Sequence, residues 1–476
     1  MKKLKNVFLL PADKKSVYLA DVEFDELIRN IKLIKEFSAD PVKLVKTMEQ
    51  LKAKNNHYTS SPTIDGNYNL LIPGAVDAHV HFDEPGFEFR EDFYTGTLSA
   101  AFGGVTTVID MPCTSIPPVT NKKNLMEKLA VVSKNAVIDF SFWGGVSGTQ
   151  FDNEQDIAQD MKKLARAGVV GFKTYLLSGM KEFTELNAKR LERVGQIAKK
   201  LKLPVAVHSE DKQLVTSRRQ KFQENKKNDF KHYAKARDVK AEVRAIKTVI
   251  KVAEKTGARF HIVHLSSKKG LQLIKEAQKS GIDINTETCP HFLAFTQADY
   301  KKIGSILKTA PPIKKAMDRK ALWQGLCDND IDFVVTDHAG CDPEKEKFTN
   351  NIWTDYAGIP GTELLVPYIF SKGYLRGRIS LKRAVNLISE NAARYYGIYP
   401  QKGSININTD ADLTLLDLTE KYIIDPKNLH CKGKYTPFAG KSFKTKVKNT
   451  FCRGKLLVDD NQFFGNNGYG SFIKPS

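Results

Sequence analysis

The chain has few cysteines and no long apolar run, and these shortages exclude several classes of protein. Its 476 residues include six scattered cysteines, none of them in a CxxC pair. The sequence therefore contains neither a disulfide framework nor a zinc-finger pattern, and it predicts a cytoplasmic protein. No apolar run approaches the ~18 residues of a membrane span, so we expect no membrane partner. The basic N-terminus is followed by too few apolar residues to form a signal peptide.

Basic residues outnumber acidic ones, and the formal net charge of +20 comes mostly from lysines spread along the chain. No nucleic-acid recognition motif accompanies this charge, so we expect solvated helix faces and no nucleic-acid partner. The densest basic stretch lies within residues 212–240 and is expected to form an exposed excursion. A nucleic-acid-binding module is the alternative reading of the charge, and it predicts salt-sensitive retention on polyanions.

Short apolar runs alternate with amphipathic stretches of helical period through the middle of the chain, which predicts an α/β protein. Eight rounds of strand and helix favour a parallel (β/α)8 barrel of the TIM type over residues 73–400. The flanks, 1–72 and 401–476, have β character, and we expect both chain ends to form one small β-sandwich domain. The predicted barrel strands are 75–81, 105–111, 136–146, 169–176, 203–210, 258–267, 283–293 and 330–340.

Polar residues fall near the ends of several predicted strands. His79 and His81 end the first strand and point the same way, because side chains alternate along a strand. Two imidazoles converging from one segment make half of a divalent-metal site. Further potential ligands lie on the fourth, fifth, sixth and eighth strands, where barrel enzymes place catalytic groups. These additional candidates are Lys173, His208, His264 and Asp337.

Each of these residues also has a structural interpretation. A single histidine can be a satisfied core residue, and Asp337 could cap a helix. Lys173 is the least ordinary, since a strand buried on both faces should exclude an unpaired ammonium group. We expect His261 to face the helical layer, because its parity is opposite to that of His264. His291, after the seventh strand, either lines the pocket or packs.

The motifs "PGAVDAHVHFDEPG", "GFKTYLLSG", "VHSED", "HIVHLSS", "ETCPHFLAF" and "VVTDHAG" occur in an order that is similar to the cyclic amidohydrolases. This group contains dihydroorotases, allantoinases and hydantoinases, and the resemblance covers about residues 70–415. It implies a hydrolase that opens a cyclic amide, and relatives of this kind are commonly dimers or tetramers. A non-catalytic scaffold is the alternative, but such proteins usually lack several of the metal ligands.

The resemblance also implies the roles of the candidate ligands. His79, His81 and Asp337 would bind one zinc ion, and His208 and His264 would bind a second. Lys173 would carry a carbamate derived from CO2 that bridges the two ions, which turns a buried cation into a matching anion. A water activated by the metals would attack the ring carbonyl, with Asp337 moving the proton.

The substrate positions depart from those of the relatives. Asp83, Cys113 and Cys341 stand where dihydroorotases usually carry an arginine, an asparagine and a histidine that hold the substrate carboxylate. Ser178 replaces a tyrosine typical of hydantoinases. We therefore favour allantoin as the substrate, with dihydroorotate, held by another cation such as Arg90, as the alternative and another cyclic imide as a third possibility. The candidate substrate-binding residues are Asp83, Cys113, Ser178, His291, Cys341 and Gly358.

Overall fold

Eight parallel strands form a closed barrel in the computed structural model, which describes residues 1–54 and 63–476. The third and eighth strands are each interrupted, and their two pieces pair with different neighbours. These two strands join the sheet into a ring and confirm the predicted (β/α)8 barrel. The barrel strands are Ala75–His81, Val105–Asp110, Asp139–Phe142 with Gly144–Gly145, Phe172–Tyr175, Val205–His208, Phe260–Ile262, Ile284–Thr288, and Phe333–Val334 with His338–Ala339.

Helices cover the outside of the barrel, and their ends follow local sequence signals. In the helix Ile157–Ala167, the Asp156 side chain accepts from the Gln159 N–H at the start, and Gly168 ends the helix with φ of +102°. A side-chain oxygen before the first turn and a left-handed glycine after the last satisfy backbone groups that the helix leaves open. These helices place the carboxyl ends of the strands at one mouth of the barrel.

The α-helices are Pro41–Lys52, Phe93–Phe102, Lys122–Val132, Gly148–Asp152, Ile157–Ala167, Ala188–Leu201, Lys212–Glu224, Phe230–Ala236, Val239–Thr256, Lys268–Lys279, Pro290–Ala294, Tyr300–Ile303, Ala316–Cys327, Pro343–Glu346, Leu365–Tyr368, Leu381–Ile388 and Glu390–Tyr395. Four short 3-10 helices, Gln297–Asp299, Gly304–Leu307, Thr362–Leu364 and Pro426–Asn428, and a π-helical turn, Ile369–Tyr374, complete the set within the described ranges. None of these helices has the length and apolar character that crossing a membrane requires.

Both chain ends contribute to one nine-stranded sheet, as expected from the flanking β character. Leu70–Pro73 pairs on one side with the first strand of the chain and on the other with Leu413–Asp417. Three strands separate those that carry Phe24 and Phe451, yet the two rings are 5.4 Å apart. The sheet therefore curls over its own apolar core. Its strands are Lys2–Leu9, Val17–Phe24, Ile28–Phe37, Thr63–Asp65, Leu70–Pro73, Leu413–Asp417, Lys446–Cys452, Lys455–Asp459 and Gln462–Phe463, and a separate pair is formed by Tyr422–Ile423 and Ser442–Phe443.

The C-terminal tail leaves this sheet and returns to the barrel. The Phe140 N–H donates to the Ser471 carbonyl over 3.0 Å, and the Ile473 N–H donates to the Phe140 carbonyl over 2.8 Å. At Gly470 a Cβ would lie 1.9 Å from the Ile138 carbonyl oxygen, so this approach requires glycine. The tail thus covers the third barrel strand.

Candidate metal centre

Five of the predicted ligands form a contiguous group of rings and carboxylate at the mouth of the barrel. The ring centroids of His79 and His81 are 5.3 Å apart, and that of His264 lies 5.6 Å from His79. His208 lies 4.8 Å from His264. Asp337 Oδ1 is 3.2 Å from His79 Nε2 and 3.3 Å from His81 Nε2. The structure therefore brings together side chains from four separate barrel strands.

Lys173 completes this group from the fourth strand. Its side chain is wholly buried, and its Nζ lacks a hydrogen-bond partner among the described residues. The Nζ lies 5.0 Å from the Tyr175 ring, which stacks on His208 at 5.1 Å. Burial lowers the pKa of Lys173, because an ammonium group loses its hydration there.

His79 is held by a buried carboxylate that the sequence did not reveal. Its Nδ1 lies 2.5 Å from Glu287 Oε1, while Glu287 Oε2 lies 3.1 Å from His261 Nε2. Burial raises the pKa of Glu287, but His79 and His261 lower it overall to about 2. The carboxylate therefore accepts the Nδ1 proton of His79 and leaves Nε2 as the atom able to bind a metal.

The expectation that His261 faces the helical layer is wrong. Phe260 lies next to Gly195 of an outer helix, so the following side chain points into the barrel, where it meets Glu287. The strand ends at Ile262, and His264 has a left-handed φ of +41°. Strand parity no longer holds past that point, and both histidines can face inward.

The second pair of histidines has its own carboxylate. His208 Nε2 lies 2.8 Å from Glu210 Oε2, which leaves His208 Nδ1 facing His264 Nε2 at 3.0 Å. The other nitrogen of His264, Nδ1, is buried without a hydrogen-bond partner in residues 1–54 and 63–476. Two nitrogen atoms of neutral imidazoles at this separation suit a shared metal ion, since each can offer a lone pair.

The group fits metal ions by the chemistry of its donors. The ligand atoms of His79, His81 and Asp337 all lie within 4.8 Å of one another. Burial raises the pKa of Asp337, but His79 and His81 lower it well below its ordinary value, so the carboxylate is ionised. The buried Lys173 Nζ, which has no hydrogen-bond partner among the described residues, adds an unmet polar group to the site.

A second group of possible ligands, Asp139, Asp412 and Cys452, is already neutralised. The Lys402 ammonium lies 2.5 Å from Asp139 Oδ2 and 2.8 Å from Asp412 Oδ2. This ion cluster joins the barrel to the terminal sheet and has a structural role.

Three of the candidate substrate-binding residues lie at or beside the group. Cys113 Sγ is 3.1 Å from the Tyr175 hydroxyl and 3.8 Å from His81 Nδ1. His291 is buried, its Nε2 has no hydrogen-bond partner among the residues that the structure describes, and burial lowers its pKa to about 4. Asp83 is also buried, and neither of its carboxylate oxygens has a hydrogen-bond partner in the described part of the chain.

The polar groups of the other three are already hydrogen-bonded to residues outside the group of candidate ligands. The Ser178 hydroxyl donates to the Phe183 carbonyl over 2.6 Å, and Cys341 Sγ donates to the Tyr435 hydroxyl over 3.2 Å. The Gly358 carbonyl accepts from the Lys347 ammonium over 2.6 Å. Ser178, Cys341 and Gly358 therefore shape the mouth of the barrel and have these groups already engaged.

The contribution of Asp83 to the free energy of unfolding of the metal-free protein falls as pH rises. Burial raises its pKa from 3.8 to about 8, so the folded protein holds this proton more tightly than the unfolded chain. This contribution is greatest below pH 3.8 and declines towards pH 8, by up to about 5 kcal/mol. We expect Asp83→Asn to remove this slope in denaturant unfolding of the metal-free protein. An unchanged slope between pH 4 and 8 would contradict the assignment to Asp83.

A closed (β/α)8 barrel with histidines, an aspartate and a buried lysine at the mouth formed by its strand ends defines a class: hydrolases built to hold metal ions at that end. Residues 70–457 match the model of the Amidohydrolase family. The chain belongs to the amidohydrolase family, whose superfamily generally uses a binuclear metal site.

Individual relatives are similar over nearly the whole chain. An allantoinase of Streptomyces avermitilis is 35% identical over 451 residues, which cover 94% of this chain and 97% of that protein. An allantoinase of Rubrobacter xylanophilus is 33% identical over 413 residues, with coverage of 87% and 89%. The solved structure of the L-hydantoinase (dihydropyrimidinase) from Arthrobacter aurescens has a TM-score of 0.88 at 28% identity and covers 99% of both chains.

Proposed function

We propose that the protein hydrolyses a ring C–N bond of a cyclic ureide and that its reaction is the opening of allantoin to allantoate. The observation that carries this proposal is the convergence of four histidines and Asp337 beside the partnerless, buried Lys173. Relatives called allantoinases, 30–35% identical over most of the chain, support the choice of ring.

Two divalent ions fit the donor set, and we assign them as Zn²⁺ because histidine and carboxylate are common zinc ligands. His79, His81 and Asp337 would hold the first ion, and His208 and His264 the second. Lys173, carboxylated by CO2, would supply the oxygens between them. The lack of a hydrogen-bond partner for its Nζ within the described part of the chain supports this modification.

Bound at these positions, the ions would lower the pKa of a shared water towards ~7 and polarise the ring carbonyl. The residues of the chain supply the proton transfer. Asp337 takes a proton from the attacking water as its oxygen adds to the carbonyl carbon, and it gives that proton to the ring nitrogen as the C–N bond breaks. The carboxylate is ionised and lies between His79 and His81, so it is ready to accept.

Asp83 and Arg90 favour a neutral ureide over a carboxylate substrate. Burial raises the pKa of Asp83 to about 8 because its surroundings disfavour an anion, and they would disfavour a substrate carboxylate in the same way. Arg90, the alternative cation for dihydroorotate, donates to Glu346 through both Nε, at 2.9 Å, and Nη2, at 2.5 Å. A ureide instead offers N–H donors that an unpartnered carboxyl group can accept.

A substrate panel tests this proposal. Metal-loaded protein is offered allantoin, dihydroorotate, hydantoin and dihydrouracil at equal concentration, and initial rates of ring opening are compared. We expect the highest kcat/KM with allantoin, by at least about tenfold over dihydroorotate, because a substrate carboxylate buried beside Asp83 without Arg90 as a partner would lose its hydration uncompensated, at a cost of more than ~1.4 kcal/mol. Faster turnover of dihydroorotate, or turnover of none, would contradict it.

The setting in which the enzyme works belongs to the same proposal. We assign it to the cytoplasm, as a homo-oligomer, dimer or tetramer, with a small molecule as its partner rather than nucleic acid or membrane. All six cysteines carry free thiols, which supports a reducing compartment.

A further inference from the structure

Arg237 reaches the candidate metal centre from the basic excursion at residues 212–240. It follows the helix Phe230–Ala236, and its guanidinium donates to both oxygens of Glu210, with Nε 3.0 Å from Oε1 and Nη2 2.6 Å from Oε2. A guanidinium and a carboxylate joined through two bonds form a strong pair with a fixed geometry. The excursion therefore fixes the orientation of a carboxylate at the end of the fifth strand.

The excursion is itself anchored over the mouth of the barrel. The Arg237 Nη1 donates to the Tyr233 hydroxyl over 3.2 Å, and that hydroxyl donates to the Thr309 carbonyl over 2.9 Å. The Lys314 ammonium donates to the Arg237 carbonyl over 2.8 Å. Tyr233 and Lys314 thus hold Arg237 in addition to its contact with Glu210.

The ion pair of Arg237 and Glu210 controls which nitrogen of His208 carries the proton. Glu210 is buried, and both of its oxygens face the Arg237 guanidinium, a group that can only donate hydrogen bonds. The Glu210 oxygen that lies 2.8 Å from His208 Nε2 therefore accepts from that nitrogen, and His208 Nδ1 keeps the lone pair that faces His264. Without Arg237, the Glu210 side chain would be free to turn away from Nε2, and the position of the imidazole proton would no longer be fixed.

The two groups of metal ligands, one around His79 and one around His208, depend on different carboxylates to fix the imidazole proton. His79 is oriented by Glu287, which bonds to His261 inside the barrel. His208 is oriented by Glu210, whose charge is balanced by a residue of the excursion. Loss of Arg237 would therefore act on one pair of ligands and leave the other pair in place.

We infer that Arg237 is a positioning residue for the second metal ion: through Glu210 it keeps His208 Nδ1 free to bind that ion. This inference rests on the proposed binuclear function. The basic excursion therefore has a role at the metal centre through Arg237, in addition to carrying exposed lysines.

Metal titration of the full-length protein tests this inference directly. Metal-free Arg237→Met is titrated with Zn²⁺ against a competing chelator. We expect one of the two ions to bind about 10–100-fold more weakly than in the wild type and the other to bind unchanged. Glu210→Gln should give the same pattern without loss of the arginine, since an amide can donate to Nε2 and shift the imidazole proton.

Lys231→Met is the matched control, because Lys231 is exposed on the helix that precedes Arg237 and the substitution removes the same charge. It should bind both ions with wild-type affinity. Wild-type affinity for both ions in both Arg237→Met and Glu210→Gln, or an equal loss of both ions, would overturn the inference while leaving the proposed function intact. A wild-type protein that binds fewer than two ions would overturn the proposed function, and this inference with it.

Discussion

Replacement of Lys173 by methionine is expected to abolish turnover and binding of the metal pair while it makes the metal-free protein more resistant to unfolding. Lys173 is the one candidate ligand that supplies a bridge between the two halves of the centre. Without metal assistance the barrier rises by several kcal/mol, so kcat should fall by about 10³-fold or more. Metal analysis and initial rates measure the two losses.

The gain in stability follows from the burial of Lys173. A buried amine without a partner costs about 1–3 kcal/mol, and more when it is charged, and methionine removes this cost. Lys128 provides the contrast, because it is equally buried but lies 2.6 Å from Asp110. Lys128→Met should destabilise the protein by about 3–5 kcal/mol, because Asp110 loses its partner. Full metal occupancy and full turnover in Lys173→Met would contradict the assignment.

Asp337→Asn is expected to lower kcat by about 10²–10⁴-fold, because an amide cannot take the proton of the attacking water. The variant suits this test, since Asp337 has a φ of +50° and asparagine tolerates that left-handed conformation. We expect KM to change less than kcat, since the proton transfer takes place only in the reaction step.

Asp328→Asn, at an exposed position before the eighth strand, is the control and should leave both constants unchanged. Steady-state kinetics on metal-loaded proteins of measured metal content separate loss of the proton acceptor from loss of metal. A kcat within threefold of the wild type for Asp337→Asn would remove Asp337 from the proposed proton transfer.

The sequence was most informative where one short element decides the geometry. The spacing of His79 and His81 places both on one face of the first strand, and strand period alone predicts this. The alternation of strands and helices similarly predicts the barrel and the end at which functional groups gather. The pairing of the two chain ends came from their shared β character and not from any local pattern.

Long-range contacts and irregular backbone account for what was missed. The left-handed backbone at His264 ends the strand parity on which the prediction for His261 relied. The role of Glu287 in the seventh strand could not be predicted, because no local pattern links it to His79, which lies 208 residues away along the chain. In the sequence Arg237 is one of many basic residues, and only the tertiary structure shows that it contacts Glu210.

The environment of Asp83, a candidate substrate-binding residue, could not be predicted from the sequence either. Its position after the HxH motif marked it as a substrate contact, but sequence alone did not indicate that its carboxyl group is buried without a partner. Ser178, Cys341 and Gly358 are also candidates by position, and other residues of the chain already hydrogen-bond the polar groups that a substrate would have used.

A crystal structure of the zinc-loaded protein, with anomalous scattering recorded at the zinc edge, tests the central claim most directly. The account predicts two anomalous peaks about 3.5–4 Å apart, one among His79, His81 and Asp337 and one at His208 and His264. Density for a carboxylate on the Lys173 nitrogen should lie between them. A single peak, or two peaks with an unmodified Lys173 turned away from both, would contradict the claim.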